Sequence, residues 1–346
     1  MSLPIYLTSE PETCEAPGGL FKKPSFEITG QRTAARLLKP ILRCTAALSS
    51  VTAYRGFMRF LSALSQMRFF GDTFCEAALA KDSFFGFSAT DSYWGFYIYT
   101  GTPYEASLHH VFAAISDVDY QILDCGANYG YWSVILSGSA YGRRNVIAIE
   151  ASAPTFKALQ SNCELNGNRF TCINRAVSNR TGQSLLLERR SHESAHICAE
   201  ANSCDVQSFE KVHSIDLDDL CKMLQPQRDR LVIKLDIEGH EIEALMGAEC
   251  ILNRDVLIMF EDHGLDTSSR NSAYLLELGT LALFWVDDDG RCCSVSDMRE
   301  VKRIKKPRNC GYNFFAATRE GEFHRCLRDK LARNAEAANR ESRTQP

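Results

Sequence analysis

Several features that would assign this chain to a familiar class are missing from its sequence. The longest stretch without a charged residue, 125–142, contains four glycines, three serines and an asparagine, so no transmembrane segment is expected. The formal net charge of −4 lacks the basic excess of a general nucleic-acid binder. No GxGxxG sequence occurs, which counts against a nicotinamide oxidoreductase. A globular chain that acts on a small-molecule or glycan acceptor is the better expectation.

Paired cysteines and a targeting segment are also missing. The 14 cysteines are scattered without a CxxC pair, which is typical of free thiols in a reducing compartment. The first 15 residues carry acids early and no basic region followed by an apolar core, so neither a signal peptide nor a transit peptide is expected. We therefore expect a cytoplasmic protein.

The chain divides by composition into four parts. Residues 1–30 form a loose lead-in, 31–103 a helical and aromatic cap, 104–318 the main domain, and 319–346 a charged tail with a surface helix. In the cap, apolar residues at helical spacing predict two helices that split near Pro40. The charges between Arg32 and Arg68 are all basic, and they either face solvent or contact an anionic surface or substrate.

An aromatic stretch follows at residues 83–104. The alternation of Trp94, Phe96 and Ile98 predicts a strand or a hairpin. These aromatic side chains either belong to the core or form the roof of a pocket.

From residue 120 onward, short apolar runs alternate with helical patterns. The runs QILD, NVIAIE, FTCINRAV, LVIKLD and VLIMFE predict five buried parallel strands, with helices on both faces of the sheet. The segment LALFWVDDDGRCCSV predicts a strand, an Asp-Gly turn and a return strand, and YNFFAAT predicts the last strand. The fold class is therefore α/β, an open parallel sheet finished by antiparallel strands.

Ligands of such sheets lie beyond the carboxyl ends of the strands, so the residues that follow each apolar run are candidate site residues. They are Asp124, Gly126, Asn128 and Gly130 after the first strand, Glu150 after the second, Asp236, Glu238 and His240 after the fourth, and Glu261 and Asp262 after the fifth. The two loop glycines stand four apart, without the additional glycine that admits a pyrophosphate. Glu150 is placed to accept hydrogen bonds from a ribose diol, so a nucleoside without phosphates is the better ligand.

Two motifs carry a resemblance to a known family. DCGANYGYW at 124–132 resembles the first motif of Class I S-adenosylmethionine-dependent methyltransferases, and together with KLDIEGHE at 234–241 it is similar to the FkbM family. Weaker matches lie at 104–105, 174–178 and 215–219, so the similarity covers 104–318. The resemblance implies a Rossmann-like sheet of seven strands with an antiparallel last strand, and S-adenosylmethionine across the strand ends.

The resemblance also implies roles for individual residues. Four of them would line the methionine side of the cofactor: Asp124, Gly126, Asn128 and Gly130. Glu150 would hold the ribose, the segment around Ala176 would flank the adenine, and Glu105 could reach the methionine ammonium. The alternatives are that Asp124 and Glu150 only cap turns and that Glu105 is an acid at a helix start.

Methyl transfer requires an acceptor held at close range, with its proton removed if it is a hydroxyl. We expect Asp236, Glu238 and His240 to lie near the methyl group, because the fourth strand is the neighbour of the first. His240 is a candidate base, and the alternative is a residue that caps the helix. Lys234 lies inside an apolar strand and needs a buried partner, either Asp236 or Glu150.

A metal site is an alternative arrangement of the same acids. Asp236, Glu261 and Asp262 could converge to bind Mg²⁺, which would acidify an acceptor hydroxyl. The other interpretation is that these acids cap helices or form ion pairs.

The sequence therefore predicts an S-adenosylmethionine-dependent methyltransferase, with a hydroxyl of a sugar, glycan or secondary metabolite as the expected acceptor. Two alternatives remain open. The first is an N-methyltransferase that acts on a peptide or amine, and the second is a non-catalytic module that keeps the fold and binds a protein partner.

Overall fold

Alternating strands and helices form the central part of the protein, seen here in a computed structural model. The structure describes residues 23–30, 32–49, 55–191, 194–198, 209–225, 229–306 and 310–331. The strands are β1 (Ser25–Thr29), β2 (Phe74–Ala80), β3 (Ser83–Ser88), β4 (Gln121–Cys125), β5 (Asn145–Ile149), β6 (Thr171–Ile173), β7 (Ala176–Val177), β8 (Ser184–Ser191), β9 (Ser194–Cys198), β10 (Phe209–Ile215), β11 (Arg230–Leu235), β12 (Asp255–His263), β13 (Leu281–Val286), β14 (Cys292–Val295) and β15 (Gly311–Thr318). The helices are α1 (Arg32–Ser49), α2 (Arg55–Ser65), α3 (Ser92–Thr100), α4 (Ala106–Ala114), α5 (Tyr131–Ser137), α6 (Ala153–Leu165), α7 (Leu217–Lys222), α8 (Glu241–Met246), α9 (Arg270–Glu277), α10 (Met298–Ile304) and α11 (Glu322–Cys326).

The main sheet has the strand order β14-β13-β15-β12-β11-β4-β5-β6. Strands β4, β5, β6, β11 and β12 pair in parallel, and β15 runs antiparallel to both β12 and β13. The mostly parallel, Rossmann-like sheet with a reversed last strand is therefore confirmed. Its strand count was wrong: in the described part of the chain the sheet has eight strands rather than seven. The return strand β14 adds an edge beside β13, across the predicted Asp-Gly turn.

Helices cover both faces because alternate residues of each strand are apolar on opposite sides. Along β4, Ile122 packs into one buried cluster and Leu123 into another. The first cluster includes residues of α4, α5, α6 and the N-terminal elements, and the second includes residues of α7, α8, α9 and α10. We call these the first and second faces of the sheet.

A second sheet has the strand order β7-β10-β8-β9. In the sequence, its strands lie between β6 and β11 of the main sheet. The run FTCINRAV was predicted as one strand, but it contributes β6 to the main sheet and β7 to this one. The sequence pattern at 184–215 did not predict these strands, because charged residues interrupt its apolar positions. Part of this segment, 192–193 and 199–208, lies outside the described residues.

The N-terminal cap contains strands as well as helices, so its description as helical was incomplete. β1, β2 and β3 form an antiparallel sheet, and β1 lies within the predicted loose lead-in. Residues 1–22 of that lead-in and 332–346 of the charged tail lie outside the described residues. Within the described residues, no helix combines the length and the apolar character that a membrane crossing requires.

Two local predictions in the cap were wrong. The predicted strand through Trp94 is the helix α3, which begins where Asp91 accepts a hydrogen bond from the Trp94 N–H at 2.9 Å. Aromatic residues are typical of strands, but α3 is buried on most sides and needs them for packing. The predicted break near Pro40 is also absent, since α1 continues to Ser49. Pro40 is exposed, so water can replace the hydrogen bond that its ring removes.

Candidate active site

A cavity of about 730 Å³ lies at the carboxyl ends of the parallel strands. Its floor comes from residues that follow β4, β5 and β11 and from the end of β12. The second sheet borders it on one side, and residues of α3 and the segment before α4 border it on another. This is the edge at which open α/β sheets bind ligands, and the volume lies in the usual range of about 300–1,000 Å³ for small-molecule sites.

The glycine loop after β4 approaches the next strand end closely. Gly126 has a φ of +77°, and a Cβ at this position would overlap the backbone oxygen of Asp236. The N–H groups of Gly126 and Ala127 both donate to the Ile149 carbonyl at 2.9 Å, which fixes the loop to the end of β5. Glycine at position 126 therefore lets the loop pass between two strand ends.

The rest of the loop turns the chain into α5. Gly130 has a φ of +87° and directly precedes this helix. Asn128 also has a positive φ of 53°, and its side-chain oxygen accepts a hydrogen bond from the Tyr129 N–H at 2.7 Å. Gly126 and Asn128 line the cavity, whereas Gly130 is not among the lining residues.

Glu150 lies beside this loop, at the end of β5, and lines the cavity. One carboxylate oxygen accepts a hydrogen bond from the Asn128 N–H at 3.0 Å, and the other accepts one from the Ser152 N–H at 2.9 Å. Burial raises the pKa of Glu150 to about 7, although these backbone donors act in the opposite direction. Each oxygen keeps a second lone pair, so the carboxylate can cap its turn and also accept hydrogen bonds from a diol.

Apolar side chains line the cavity next to Glu150. Ala176 and Val177 come from β7, Leu187 from β8 and Ile197 from β9. Together with Ile149 they form an apolar slot, which can hold a flat heterocycle. The sequence pointed to Ala176 through the family resemblance, but Leu187 and Ile197 were missed. Only knowledge of the second sheet could have found them.

A network of charged groups lies beneath the cavity, on the first face of the sheet. The Lys234 Nζ donates to Asp236 at 2.7 Å and lies 3.8 Å from a Glu105 carboxylate oxygen. Burial alone would lower the pKa of Lys234, but attraction by Asp236, Glu105 and Asp124 outweighs it and raises this pKa. Of the two partners predicted for Lys234, the structure brings Asp236 to it.

Asp124 lies below this network and is almost completely buried. It accepts a hydrogen bond from the Ser133 hydroxyl at 2.5 Å, and its other carboxylate oxygen has no hydrogen-bond partner among the described residues. Burial raises the pKa of Asp124, and Lys234 opposes this effect. Asp124 is absent from the residues that line the cavity, and its described contacts are with Ser133 of α5 and the charge of Lys234.

Glu105 reaches the cavity from the start of α4. Its side chain makes no capping hydrogen bond to that helix, but accepts one from the Trp132 indole N–H at 2.5 Å. Its φ of +45° is uncommon for a residue other than glycine. Burial raises the pKa of Glu105, and Lys234 lowers it. Glu105 is thus an acid at a helix start, and its carboxylate contacts Trp132 and Lys234 rather than capping α4.

Four further acids line the cavity: Asp236, Glu238, Glu261 and Asp288. The Glu261 carboxyl lies on the first face of the sheet, at the end of β12, and the structure gives it no hydrogen-bond or ion-pair partner among the described residues. Burial raises the pKa of Glu261 to about 8, and repulsion by Asp236, Glu105 and Glu238 adds to this. A Cβ at Gly311 would overlap this carboxyl, so the glycine leaves space for it.

Aromatic residues of the cap close the cavity. Tyr93 and Tyr97 of α3 and Tyr104 line it, and the Tyr97 and Tyr104 rings meet edge-to-face with centroids 5.0 Å apart. The Tyr93 hydroxyl donates to the Tyr104 hydroxyl at 3.4 Å. The aromatic stretch therefore provides both core packing and a wall of the cavity.

Besides Asp124 and Gly130, two more predicted site residues are absent from the cavity lining. His240 is not among the lining residues; its Nε2 is 3.0 Å from the Ser178 hydroxyl and its Nδ1 is 3.8 Å from Glu243. Burial lowers the pKa of His240. Because both ring nitrogens face these neighbours, the structure does not support His240 as the base.

Asp262 lies on the second face of the sheet, where it accepts a hydrogen bond from the buried Ser272 of α9. Glu261 and Asp262 are consecutive in β12, so they point to opposite faces. The predicted magnesium site of Asp236, Glu261 and Asp262 is therefore not assembled. Among the described residues, no cluster of three or more His, Cys, Asp or Glu side chains is arranged to hold a metal ion.

The fold and the cavity define a Rossmann-like methyltransferase architecture. The family model for the methyltransferase FkbM domain matches residues 124–314, which is more than half of the chain. The chain therefore belongs to the FkbM methyltransferase domain family. A search of curated proteins finds no match.

The similarity of this chain to solved methyltransferase structures is low. A methyltransferase FkbM from Methylobacillus flagellatus KT has 17% identity and a TM-score of 0.37, with 57% of this chain and 43% of that chain covered. An O-methyltransferase from Bacillus cereus in complex with SAH has 13% identity and a TM-score of 0.33, with 63% of this chain and 81% of that chain covered. The present chain thus spans less than half the length of the Methylobacillus protein.

Proposed function

We propose that this chain is an S-adenosylmethionine-dependent O-methyltransferase that acts on a hydroxyl of a sugar, glycan or secondary metabolite. The observation that carries the proposal is the Glu261 carboxyl, which faces the same cavity as Glu150 and has no partner among the described residues. Strand β12 lies three positions from β5 in the sheet, or about 14 Å at the usual strand spacing. The cavity therefore offers a nucleoside end and a separate acidic end.

The nucleoside end suits the adenosyl part of the cofactor. Glu150 would accept hydrogen bonds from the ribose hydroxyls, and the apolar slot beside it would hold the adenine. Gly126 presents backbone to the cavity beside Asp236, and the methionine part would lie along this backbone. Glu105 would attract the methionine ammonium. When bound, the cofactor supplies a methyl group on a positively charged sulfur.

The acidic end limits the charge of the acceptor. Glu105, Asp236, Glu238 and Glu261 line the cavity, and the buried Lys234 beneath them is already held by Asp236. Among the described residues, the cation that lines the cavity, Arg175, directly precedes Ala176 and so belongs to the nucleoside end. A phosphate or carboxylate on the acceptor would be repelled at the acidic end, because like charges in a partly buried site interact strongly. A neutral hydroxyl or an ammonium group is favoured.

We assign the removal of the acceptor proton to Glu261. The acceptor oxygen would gain the methyl carbon as the bond between that carbon and the cofactor sulfur breaks, with S-adenosylhomocysteine as the leaving group. The acceptor proton would go to the Glu261 carboxylate, which would then pass it to solvent. A carboxyl whose pKa lies at about 8 is a much stronger base than an ordinary glutamate, and it is ionised in the upper part of the physiological range. Gly311 provides the space that such a carboxylate needs to meet an acceptor.

N-methylation of an amine is the second candidate, because the same acids would hold an ammonium group. The two candidates differ in their products. Protein incubated with methyl-labelled S-adenosylmethionine and separate pools of neutral glycosides and primary amines should label the glycosides as methyl ethers. Label only in the amines would favour the N-methyltransferase, and no label in any pool would favour the non-catalytic module.

The role of Glu261 is tested with a matched pair of variants. Glu261→Gln should slow methyl transfer to a hydroxyl on the order of a hundredfold and remove the rise in rate near pH 8, with unchanged affinity for S-adenosylhomocysteine. The control is Glu243→Gln, because Glu243 lies on α8 outside the cavity. Equal rates for Glu261→Gln and the unmodified protein would refute the assignment.

A further inference from the structure

One segment near the N-terminus has a composition unlike the rest of the chain. Residues 28–71 contain seven basic residues and no acidic residue, in a chain whose formal net charge is −4. The basic residues are Arg32, Arg36, Lys39, Arg43, Arg55, Arg59 and Arg68. This segment includes α1, α2 and the helical turn Arg68–Phe70.

The inner sides of the two helices account for the core of the cap. Among the α1 side chains that the structure describes, the buried ones are Ala34, Leu38 and Leu42, which are four residues apart. On α2 they are Phe57, Leu61 and Leu64. The inner sides of the two helices therefore supply the apolar residues that pack in the core. The fold does not require apolar residues on their outer sides.

The outer sides nevertheless expose large apolar residues. The exposed fractions are 50% for Leu37, 36% for Ile41, 50% for Met67 and 45% for Phe69. Leu37 and Ile41 lie beside the exposed Arg36 on α1, at the spacing that places them on one side of a helix. α1 also contacts the turn that carries Phe69. We call Arg36, Leu37, Ile41, Arg59, Met67 and Phe69 the basic apolar face.

The combination of exposed apolar residues with arginines distinguishes between two classes of binding partner. A nucleic acid would neutralise the arginines but leave Leu37 and Phe69 in water, because its outer surface is phosphate and sugar. The boundary of an anionic bilayer meets both needs, since phosphate head groups attract arginine and the acyl region accepts aliphatic and aromatic side chains. We propose that the basic apolar face binds the surface of an anionic phospholipid bilayer.

Binding there would have a consequence for the cavity. α3 packs against both α1 and α2, and it carries Tyr93 and Tyr97 to the wall of the cavity. α3 thus connects the two helices of the basic apolar face to the wall of the cavity. Bilayer binding itself does not depend on the proposed methyl transfer, so the two proposals can fail separately.

The test is flotation of the full chain with vesicles of phosphatidylcholine alone and of phosphatidylcholine with about 30% phosphatidylserine. We expect binding only to the anionic vesicles, with loss of most binding when salt rises from about 0.1 M to about 0.5 M. Each arginine near such a surface contributes about a fivefold factor to partitioning. The double variant Arg36→Glu, Arg59→Glu should therefore bind at least about 20-fold more weakly.

A second variant tests the apolar part of the face. Leu37→Ser with Phe69→Ser should weaken vesicle binding by about fivefold for each side chain, because each buries roughly half of its surface on the bilayer. The matched control for charge is Lys157→Glu with Arg180→Glu, two exposed basic residues outside the face. Arg36→Gln with Arg59→Gln gives a milder change if the charge reversal impairs folding. An unchanged circular dichroism spectrum and an unchanged thermal unfolding curve check that each variant is folded.

Three results would overturn the proposal. The first is no binding of the unmodified chain to anionic vesicles at low salt. The second is an equal loss of binding in the control variant, which would indicate an effect of net charge alone. The third is binding of a labelled RNA oligonucleotide that depends on Arg36 and Arg59 but not on Leu37 and Phe69, which would assign the face to nucleic acid.

Discussion

The strongest prediction concerns Glu150 and the pH dependence of nucleoside binding. Both Glu150 oxygens accept backbone hydrogen bonds, from Asn128 and Ser152, yet burial raises the pKa of this carboxyl to about 7. A ribose diol donates hydrogen bonds, so it binds the ionised carboxylate and lowers the pKa of Glu150 in the complex. Binding must therefore release a proton, and affinity must increase with pH.

The size of the effect follows from the ionised fraction. With a pKa of about 7, Glu150 is ionised in roughly one molecule in ten at pH 6 and in nine of ten at pH 8. Apparent affinity scales with the competent fraction, so it should increase by about tenfold over this range. Glu150→Gln removes a hydrogen bond to a charged group, which is worth about 1.5–3 kcal/mol, or about 10- to 100-fold in affinity at pH 8.

The assay is calorimetric titration with 5′-methylthioadenosine at pH 6, 7 and 8. This probe carries the ribose diol without the amino-acid group, so titration of Glu261 and Glu105 should contribute little. Repeating the titration in buffers of different ionisation enthalpy counts the protons released. The prediction is refuted if the affinity of the unmodified protein is independent of pH, or if Glu150→Gln retains the same pH dependence.

Three further predictions test individual parts of the site. Gly126→Ala should weaken S-adenosylhomocysteine binding by more than tenfold, measured by calorimetry, because the added Cβ meets a backbone oxygen. Gly167→Ala is the control for backbone strain, since Gly167 has a φ of +68° and an added Cβ there would have no atom within 4 Å. This control should leave the affinity unchanged. Lys234→Met should lower the free energy of unfolding by about 3–5 kcal/mol in a denaturant titration, since it leaves buried carboxylates unpaired. An unchanged free energy of unfolding would disprove the charged network around Lys234. His240→Ala should lower the free energy of unfolding by about 1 kcal/mol, because it removes the hydrogen bond to Ser178. Its affinity for S-adenosylhomocysteine should be unchanged. A large loss of that affinity would show that His240 belongs to the site.

The sheet and its ligand edge could be predicted because they depend on local patterns. Continuous apolar runs between helical patterns are enough to indicate a covered parallel sheet, and ligands lie at its carboxyl edge by geometry. Gly126, Asn128, Glu150, Asp236 and the neighbouring acids line the cavity for this reason.

Side-chain direction was harder to predict than position along the chain. The sequence presents Glu261 and Asp262 as equivalent candidates, although consecutive residues of a strand face opposite sides. His240 directly precedes α8, and where its ring points depends on the contact with Ser178, a residue 62 positions away in the sequence. Long-range contacts of this kind leave no periodic pattern in the sequence.

The cap and the second sheet were predicted poorly for a related reason. The aromatic content of 92–100 favoured a strand, but burial between other elements stabilised a helix instead. Leu187 and Ile197 enter the site only because β8 and β9 pair beside β7 and β10. Which strands pair across such a distance is a tertiary property.

Calorimetric titration of the purified full chain with S-adenosylhomocysteine, with NAD as the control ligand, tests the central proposal most directly. We predict binding on the order of micromolar for S-adenosylhomocysteine and none for NAD, since the glycine loop lacks the spacing that admits a pyrophosphate. Absence of S-adenosylhomocysteine binding at both pH 7 and pH 8 would contradict the proposal that this cavity holds the cofactor.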